Sequence, residues 1–510
     1  MAHIIISILL LICTFNEITE TKYISTNESY WRARTELQDA EEKMHLGYKL
    51  ELTSKEKLVN SKLMEAKHAE LKHGLETPVD FLPSMNFLKA KSGIEQSKVF
   101  EIIKKIPKGA VLHSHDTAMV STEFLYNLTY TNDLFICITK NTKEIRFKFA
   151  TEKPKKTEEC DEWNLLSELR QNKTIVDELN ANIKSSFTLL VNDPDVVYFD
   201  VNEVWKKFVS IFLTLDGFLN YRPVLEDYLY QVFKEFENDK ILHLEFRGTL
   251  PQTYELNGTV YNEVELVGIY QSVVKRFQSE YPHFSVKFIY APNRKVDQTT
   301  FDQYIEIVKN LHGNYSDFLA GFDLVGQEDL GVAAVEFADK LLKLKEEINI
   351  DFYFHAGETN WKGMTDENLF ESVLLDSKRI GHGYAITKHP KLMEIVRDKG
   401  IAIEISPISN QVLNLVKDLR NHPAAELFST DFPVVISNDD PSLWGAIGLS
   451  YDFYEAFMAF TSYNDDIRVL KQLGYNSILF SSMNVAEKSR ALVLFENQWD
   501  SFINEMIMET

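Results

Sequence analysis

The sequence predicts an α/β fold: an eight-stranded parallel (β/α)8 TIM barrel with a helical N-terminal extension and a disulfide-bearing insertion after strand one. Three observations predict it. Eight short β-rich runs follow one another between residues 109 and 440, most of them separated by helical stretches such as GVAAVEFADKLLKLKEE and PKLMEIVRDKG. No glycine-rich phosphate loop follows the first run, as an open doubly wound sheet would want. Several runs end on ionisable side chains, and a barrel of this kind builds its active site at the C-terminal ends of its strands.

The chain begins MAHIIISILLLICTFNEITE, in which Ile4 to Phe15 are apolar over about the length of a signal-peptide core. The run is too short for a comfortable membrane span, and no later segment is long and apolar enough for one. Residues 1–20 therefore read as a signal peptide, although no Lys or Arg precedes the apolar core; the competing reading is a buried N-terminal strand. The mature protein is expected to be secreted and extracellular, with no membrane span. Residues 21–105 are rich in Glu, Lys, Leu and Ala, and Leu50, Leu58, Leu63 and Met64 suggest helices. His68 and His73 suit neither a helical nor a strand metal pair and read as surface residues.

Of three cysteines, Cys13 falls in the signal, which leaves Cys137 and Cys160. Two cysteines in an exported chain invite a disulfide; the alternative is a pair of buried free thiols. Sequons at Asn27, Asn127, Asn172, Asn257 and Asn314 fit export. The gap from 116 to 240 is far too long for one crossover. Residues 127–185 are read as an inserted subdomain stapled by Cys137 and Cys160, after which VNEVWKKFVSIFLTL and VLEDYLYQVFKEFEND return the chain to the barrel. The barrel then comprises 106–126 and 186–510.

The 510-residue chain carries a net charge of −22, so phosphate backbones would repel it and nucleic acid is not an expected partner. KPKK at 153–156 is the densest basic run, but TEEC follows it directly, and it reads as a solvated loop.

The runs are GAVLHSH (109–115), ILHLEFRG (241–248), FSVKFIYAP (284–292), DFLAGFDLVG (317–326), IDFYFHAGE (350–358), RIGHGYAI (379–386), IAIEISPIS (401–409) and FPVVISNDD (432–440). His113 and His115 stand two apart, so on a strand both imidazoles share a face. The fifth run offers His355 and Glu358, the sixth His382 between two glycines, and the eighth Asp439 beside Asp440. Each pattern alone is weak: an Asp-Asp-Pro is usually a turn or cap. Together at predicted strand ends they are hard to explain by packing. Three histidines and a carboxylate would make a zinc shell with a position left for water or substrate.

H-x-H, H-A-G-E, G-H-G and a final Asp-Asp, in that order, resemble the motifs of the adenosine deaminase family of metallo-dependent hydrolases, across about residues 105–500. The signal, helical extension and cysteine-bearing insertion are similar to the secreted adenosine deaminase-related growth factors. The resemblance implies one zinc per subunit, held by His113, His115, His355 and Asp439. It implies His382 to hold and polarise the attacking hydroxide, and Glu358 to shuttle a proton to the purine ring. Gly326 would meet the purine through its backbone and Asp440 would hold its far ring nitrogen, one partner of that bond carrying a proton. Asp116 matches the ribose-binding acid and Trp205 an aromatic of the extracellular branch, with helix core as the competing reading for Trp205. The implied reaction converts adenosine and 2′-deoxyadenosine to the inosine products and ammonia, lowering extracellular adenosine. Homodimerisation through the extension, a cell-surface receptor or glycosaminoglycan partner for the insertion, and growth-factor activity are further implications.

One departure stands out: where the extracellular branch would have a His near the second-strand loop, this chain has Val260 and Tyr261. A receptor-binding protein in which catalysis is secondary remains a second reading. A binuclear amidohydrolase is a third, but it usually wants a Lys at strand four, where this chain has DLVGQE. AMP is disfavoured as substrate because Asp116 would repel its phosphate.

Overall fold

A computed structural model describes residues 26–509, so the predicted signal peptide with Cys13 lies outside the described residues. Eight strands carry the architecture: β1 Gly109–Val111, β2 Ile241–Gly248, β3 Ser285–Tyr290, β4 Leu319–Phe322, β5 His355–Ala356, β6 Arg379–His382, β7 Ala402–Ile405 and β8 Val434–Ile436. They pair in the orders β1-β2-β3-β4 and β5-β6-β7-β8, every pair parallel. Two isolated parallel bridges close the ring, Phe322 with Phe352 between β4 and β5, and Ser114 with Asp439 between the ends of β1 and β8. At the second seam the His115 N–H donates to Asp439 O at 3.1 Å and the Asp439 N–H to His113 O at 3.2 Å. The barrel therefore closes through the residues that the sequence singles out.

Strands buried on both faces read as nearly continuous apolar runs, and all eight residues of β2 are buried. Phe246 of β2 and Phe288 of β3 pack against Tyr270 on the helix Glu263–Gln278, with ring centroids 5.4–5.6 Å apart. The barrel interior is different in kind. His243, Glu245, Arg247, Arg379 and Glu404 are fully buried there. Arg379 donates to Glu245 Oε2 at 2.7 Å and to Glu404 Oε1 at 2.6 Å. Isolated buried charges would be prohibitive, and pairing each with fixed geometry makes the interior possible.

Seven of the eight predicted runs extend beyond the strands they contain, and only the second is strand throughout. The seventh stops at Ile405, and Pro407 opens a short helix, α4 (Pro407–Val412). Proline has no N–H for a ladder but suits a first helical turn. In the fifth run only His355 and Ala356 form a strand, preceded by the Phe352 bridge.

The described residues form two compact units that divide between His45 and Leu46. In the first, α1 (Asn27–Glu42) is capped by Thr26 and Ser29 and has no buried residue. In the second, α2 (Ser54–Glu76) starts with a Thr53–Glu56 capping box. Glu56 also accepts from Trp499 Nε1 at 2.8 Å, tying α2 to the C-terminal helix Val485–Met508. Lys67 is fully buried, its charge satisfied by Thr461 Oγ1, Ser462 O and Asp465 O at 2.7–2.8 Å. His68 stacks on Tyr463.

Between β1 and β2, strands Ile145–Phe149, Leu134–Ile138 and Asn164–Leu165 form a small antiparallel sheet in that spatial order. A disulfide joins Cys137 to Cys160, and Phe135 and Trp163 pack around it. Phe147 of this sheet stacks near Phe187 and Phe218, the latter on α3 (Val201–Leu219), which returns the chain to the barrel. Asn27, Asn127, Asn172, Asn257 and Asn314 are all exposed. No helix among the described residues is long and apolar enough to cross a membrane.

The disulfide closes a loop of sequence separation 23, worth about 3 kcal/mol in the chain-entropy treatment. A Cys137→Ser, Cys160→Ser double variant is expected to lose stability of that order in urea unfolding; an unchanged midpoint would show that the bridge carries no stability.

Candidate active site

His113 and His115 follow β1, His355 opens β5, and Asp439 lies just past β8 in a left-handed backbone conformation (φ 56°). Such a conformation suits a short polar side chain at a turn. It lets adjacent carboxylates diverge. Asp439 Oδ1 lies 3.2 Å from His113 Nε2 and 3.0 Å from His115 Nε2. One ligand atom from each of His113, His115, His355 and Asp439 lies within 4.8 Å of the others. His113 Nε2 and Asp439 Oδ1 are buried without a hydrogen-bond partner. Buried polar atoms are rarely left so, and three imidazole nitrogens with one carboxylate oxygen fit a divalent metal of zinc type.

The imidazoles are aimed by carboxylates. Glu404 Oε2 accepts from His113 Nδ1 at 2.8 Å, and Asp323 Oδ2 from His355 Nδ1 at 2.7 Å. With the proton on Nδ1, each Nε2 presents a lone pair to the cluster. Arg247 donates to those same two oxygens, from Nη2 to Glu404 and from Nε to Asp323, both at 2.7 Å. Burial disfavours the charged carboxylates. The charges of His355 and Arg247 on Asp323, and of Arg247 and Arg379 on Glu404, outweigh it, so both acids are held below their usual range.

Burial lowers His355 to about 4, against the pull of Asp323, which leaves it neutral as ligation requires. For His113, burial and Arg247 oppose protonation, yet Asp439 and Glu404 outweigh them and raise its pKa.

Two neighbouring acids go the other way. Burial, then the charges of Asp439 and Glu328, raise Glu358 well above the carboxylate range. Burial and Asp439 do the same for Asp440. In both, these surroundings favour the protonated form. His382, also left-handed (φ 60°), is held neutral chiefly by burial; its Nε2 is 3.7 Å from Glu358 Oε1 and 4.0 Å from Asp439 Oδ2.

These groups line a cavity of about 260 Å³ together with Asp116, Trp205 and Gly326. Asp116 accepts from Tyr270 Oη at 2.8 Å, and burial raises it to about 7 against that bond. Gly326 adopts φ +102°, strained for any other residue, and a Cβ there would sit 3.1 Å from Asn293 Nδ2. At Gly248 a Cβ would sit 2.2 Å from Asp116 Oδ2, so glycine makes room for that acid. Trp205 is 9% exposed and lines the cavity with Phe208 and Phe212, all on α3, so it is helix core and pocket wall at once. Val260 and Tyr261 do not line it; the Tyr261 hydroxyl donates to Glu255 Oε1 at 2.6 Å.

The sequence reading missed the supporting residues. Arg247, Asp323 and Glu404 were legible as charges inside the apolar runs LEFRG, GFDLV and AIEIS, a costly placement unless paired. Glu328 accepts the N–H groups of Gly357 and Glu358 at 3.2 and 2.9 Å and holds the turn that carries Glu358; nothing in its local sequence marks it.

Arg247→Leu would leave the buried Asp323 without its guanidinium and Glu404 with Arg379 alone, a loss of about 3–5 kcal/mol. The variant is expected to be that much less stable in urea unfolding and to retain less than a tenth of the parental metal by elemental analysis. Full metal content would contradict the role of Arg247.

The chain matches the family described as Adenosine deaminase over residues 190–494 and Adenosine/AMP deaminase N-terminal over 8–103. It is 45% identical to Adenosine deaminase of Phlebotomus duboscqi, covering 97% of this chain and 95% of that one. It is 41% identical to Adenosine deaminase 2 of Homo sapiens, covering 91% and 92%. Among solved structures, the N6-methyl-AMP deaminase of Arabidopsis thaliana aligns with a TM-score of 0.55 at 16% identity, covering 78% of this chain and 98% of that one. An amidohydrolase from Burkholderia ambifaria, solved with bound Zn, aligns with a TM-score of 0.56 at 17% identity, covering 80% and 95%. The TIM barrel, the cation cradle and these full-length likenesses lead to one conclusion: the chain belongs to the adenosine deaminase family and is a hydrolytic deaminase.

Proposed function

We propose that the protein is a secreted, zinc-dependent adenosine deaminase that converts adenosine and 2′-deoxyadenosine, with water, to inosine or 2′-deoxyinosine and ammonia. One observation carries the reading: the metal-type cluster of three histidines and Asp439 adjoins a cavity lined by Glu358, His382 and Asp440, two of them acids whose protonated forms burial favours. His113, His115, His355 and Asp439 would hold the metal. The nitrogen-rich donor set supports zinc, as does the bound Zn of the Burkholderia ambifaria relative. When bound, zinc lowers the pKa of a water and supplies the nucleophile at neutral pH.

The remaining chemistry belongs to the side chains. Glu358, kept protonated by burial, donates its proton to the purine ring nitrogen beside the carbon under attack. That makes the carbon electrophilic as the new C–O bond forms. The Nε2 of His382 faces the reacting oxygen and steadies it by a hydrogen bond. Proton return through Glu358 lets the exocyclic nitrogen leave as ammonia. Asp440, also protonated, donates to the ring nitrogen on the far side of the base, which can only accept. The backbone at Gly326 meets the purine edge. Asp116 accepts from a ribose hydroxyl and disfavours a 5′-phosphate. Trp205, Phe208 and Phe212 wall the cavity against bulk water.

Export is supported by the N-terminal apolar run, the disulfide and the exposed sequon asparagines. In this reading residues 1–20 are the signal, 21–105 the dimerisation extension, 106–126 with 186–510 the deaminase barrel, and 127–185 a receptor- or glycosaminoglycan-binding subdomain. Secretion places the activity on extracellular adenosine, and growth-promoting activity follows from depleting it or from the insertion.

Incubation of the zinc-loaded protein with adenosine is expected to yield stoichiometric inosine and ammonia; zinc-loaded protein that leaves adenosine intact would refute the reading. Glu358→Gln is expected to keep its metal and lose about three orders of magnitude in kcat. Parental turnover in that variant would remove Glu358 from the proton path. Chelation is expected to abolish turnover and lower the thermal midpoint, and added zinc to restore both.

A further inference from the structure

A backbone N–H can only donate, and the one on Ala424, the first residue of α5 (Ala424–Phe428), points at His422 Nδ1 at 3.0 Å. His422 Nδ1 must therefore accept, and the ring proton lies on Nε2. That nitrogen is 3.0 Å from Asn410 Oδ1. The Asn410 amide is thereby oriented with its oxygen toward His422 and its NH2 toward His382 Nδ1, 3.2 Å away. An NH2 group cannot accept.

We propose that Asn410 and His422 are positioning residues that fix the tautomer of His382, placing its single ring proton on Nε2 and aiming it at the reacting oxygen; this rests on the deaminase reading above. The chain of bonds is shielded, with His382 2%, Asn410 0% and His422 3% exposed. The His422 ring is held edge-on to Tyr384, 5.1 Å between centroids, and lies 4.9 Å from Phe460. Burial lowers its pKa to about 3, consistent with a neutral ring that accepts at Nδ1. Asn410 sits on the α4 helix that Pro407 opens directly after β7, so the end of one strand reaches across to the end of its neighbour β6.

The contrast with the cradle gives the amide its purpose. His113 and His355 have carboxylates that accept from Nδ1–H, which keeps the ring proton on Nδ1 and frees Nε2 to bind a cation. His382 lies among them, its ring centroid 5.0 Å from that of His113 and 5.1 Å from that of His355. A carboxylate at Nδ1 would make it one more ligand-type imidazole. The amide does the reverse and makes Nε2 a donor, which separates the residue that binds the reacting oxygen from those that bind the metal.

The test uses zinc-loaded full-length protein with histidine labelled in 15N. In the parent, His382 is expected to show a pyridine-type Nδ1 and a pyrrole-type Nε2, the signals being identified by their loss in His382→Gln. Asn410→Asp, nearly isosteric, is expected to move the proton to Nδ1 and lower kcat by about 10–100-fold, with KM within about threefold. His422→Leu is expected to lower kcat similarly. His422→Gln, whose amide can donate to Asn410 and accept from Ala424, is expected to recover most of that loss. A protonated His382 Nδ1 in the parent, or parental kcat in Asn410→Asp, would overturn the proposal. If the parent makes no inosine, the deaminase reading fails by itself, while the nitrogen signals of parent and Asn410→Asp still decide the tautomer.

Discussion

Everything at this barrel mouth depends on the Arg247 guanidinium. It donates to the very oxygens of Asp323 and Glu404 that receive the Nδ1 protons of His355 and His113. Two carboxylates can then stay ionised in a buried interior, and each turns one imidazole so that its lone pair faces the cation cradle. Lysine could not take this position, because the two contacts use the fixed fork of a guanidinium. Arg379 continues the network to Glu245 and the second oxygen of Glu404. Where most barrels fill the interior with aliphatic layers, this one uses an ionic lattice that sets ring orientation.

That lattice sorts the acids of the site into two classes. Asp323 and Glu404 are held ionised against burial with the Arg247 guanidinium beside them, and Asp439 is held low against burial by its contacts with His113 and His115. Glu358 and Asp440 have burial and like charge as neighbours, which favour their protonated forms. The side-by-side Asp439 and Asp440 look like an electrostatic liability in one dimension. In three dimensions the left-handed turn at Asp439 divides them: one carboxylate faces the histidines, and the other acid is a proton donor on the cavity floor. Such a division of protonation states is what general acid chemistry near neutral pH needs.

The fold and the histidine cluster were legible because both are written in local patterns: apolar runs for strands, and metal-type side chains where those runs end. Strand limits were less so. Pro407 turns the seventh run into helix after Ile405, and periodicity alone does not separate a strand end from a helix start. The partners of the histidines were harder still. Glu404 lies 291 residues from His113 and Asp323 lies 32 from His355, so only closure of the barrel pairs them. Their signal was a charge within an apolar run, which says that a partner exists but not which one. Asn410 and His422 carried no signal, since a polar helix residue and a loop histidine are ordinary until the fold brings them to His382. Trp205 shows the opposite case, where helix core and pocket wall, competing descriptions in one dimension, hold together.

The account's central claim is that three of four neighbouring imidazoles are prepared to bind one metal and the fourth is prepared not to. An anomalous-difference map at the zinc absorption edge, from crystals of the purified protein, tests it most directly. The prediction is a single peak bounded by His113 Nε2, His115 Nε2, His355 Nε2 and an Asp439 oxygen, with His382 outside the coordination sphere. A peak ligated by His382, two peaks in the cavity, or a peak elsewhere in the chain would contradict it.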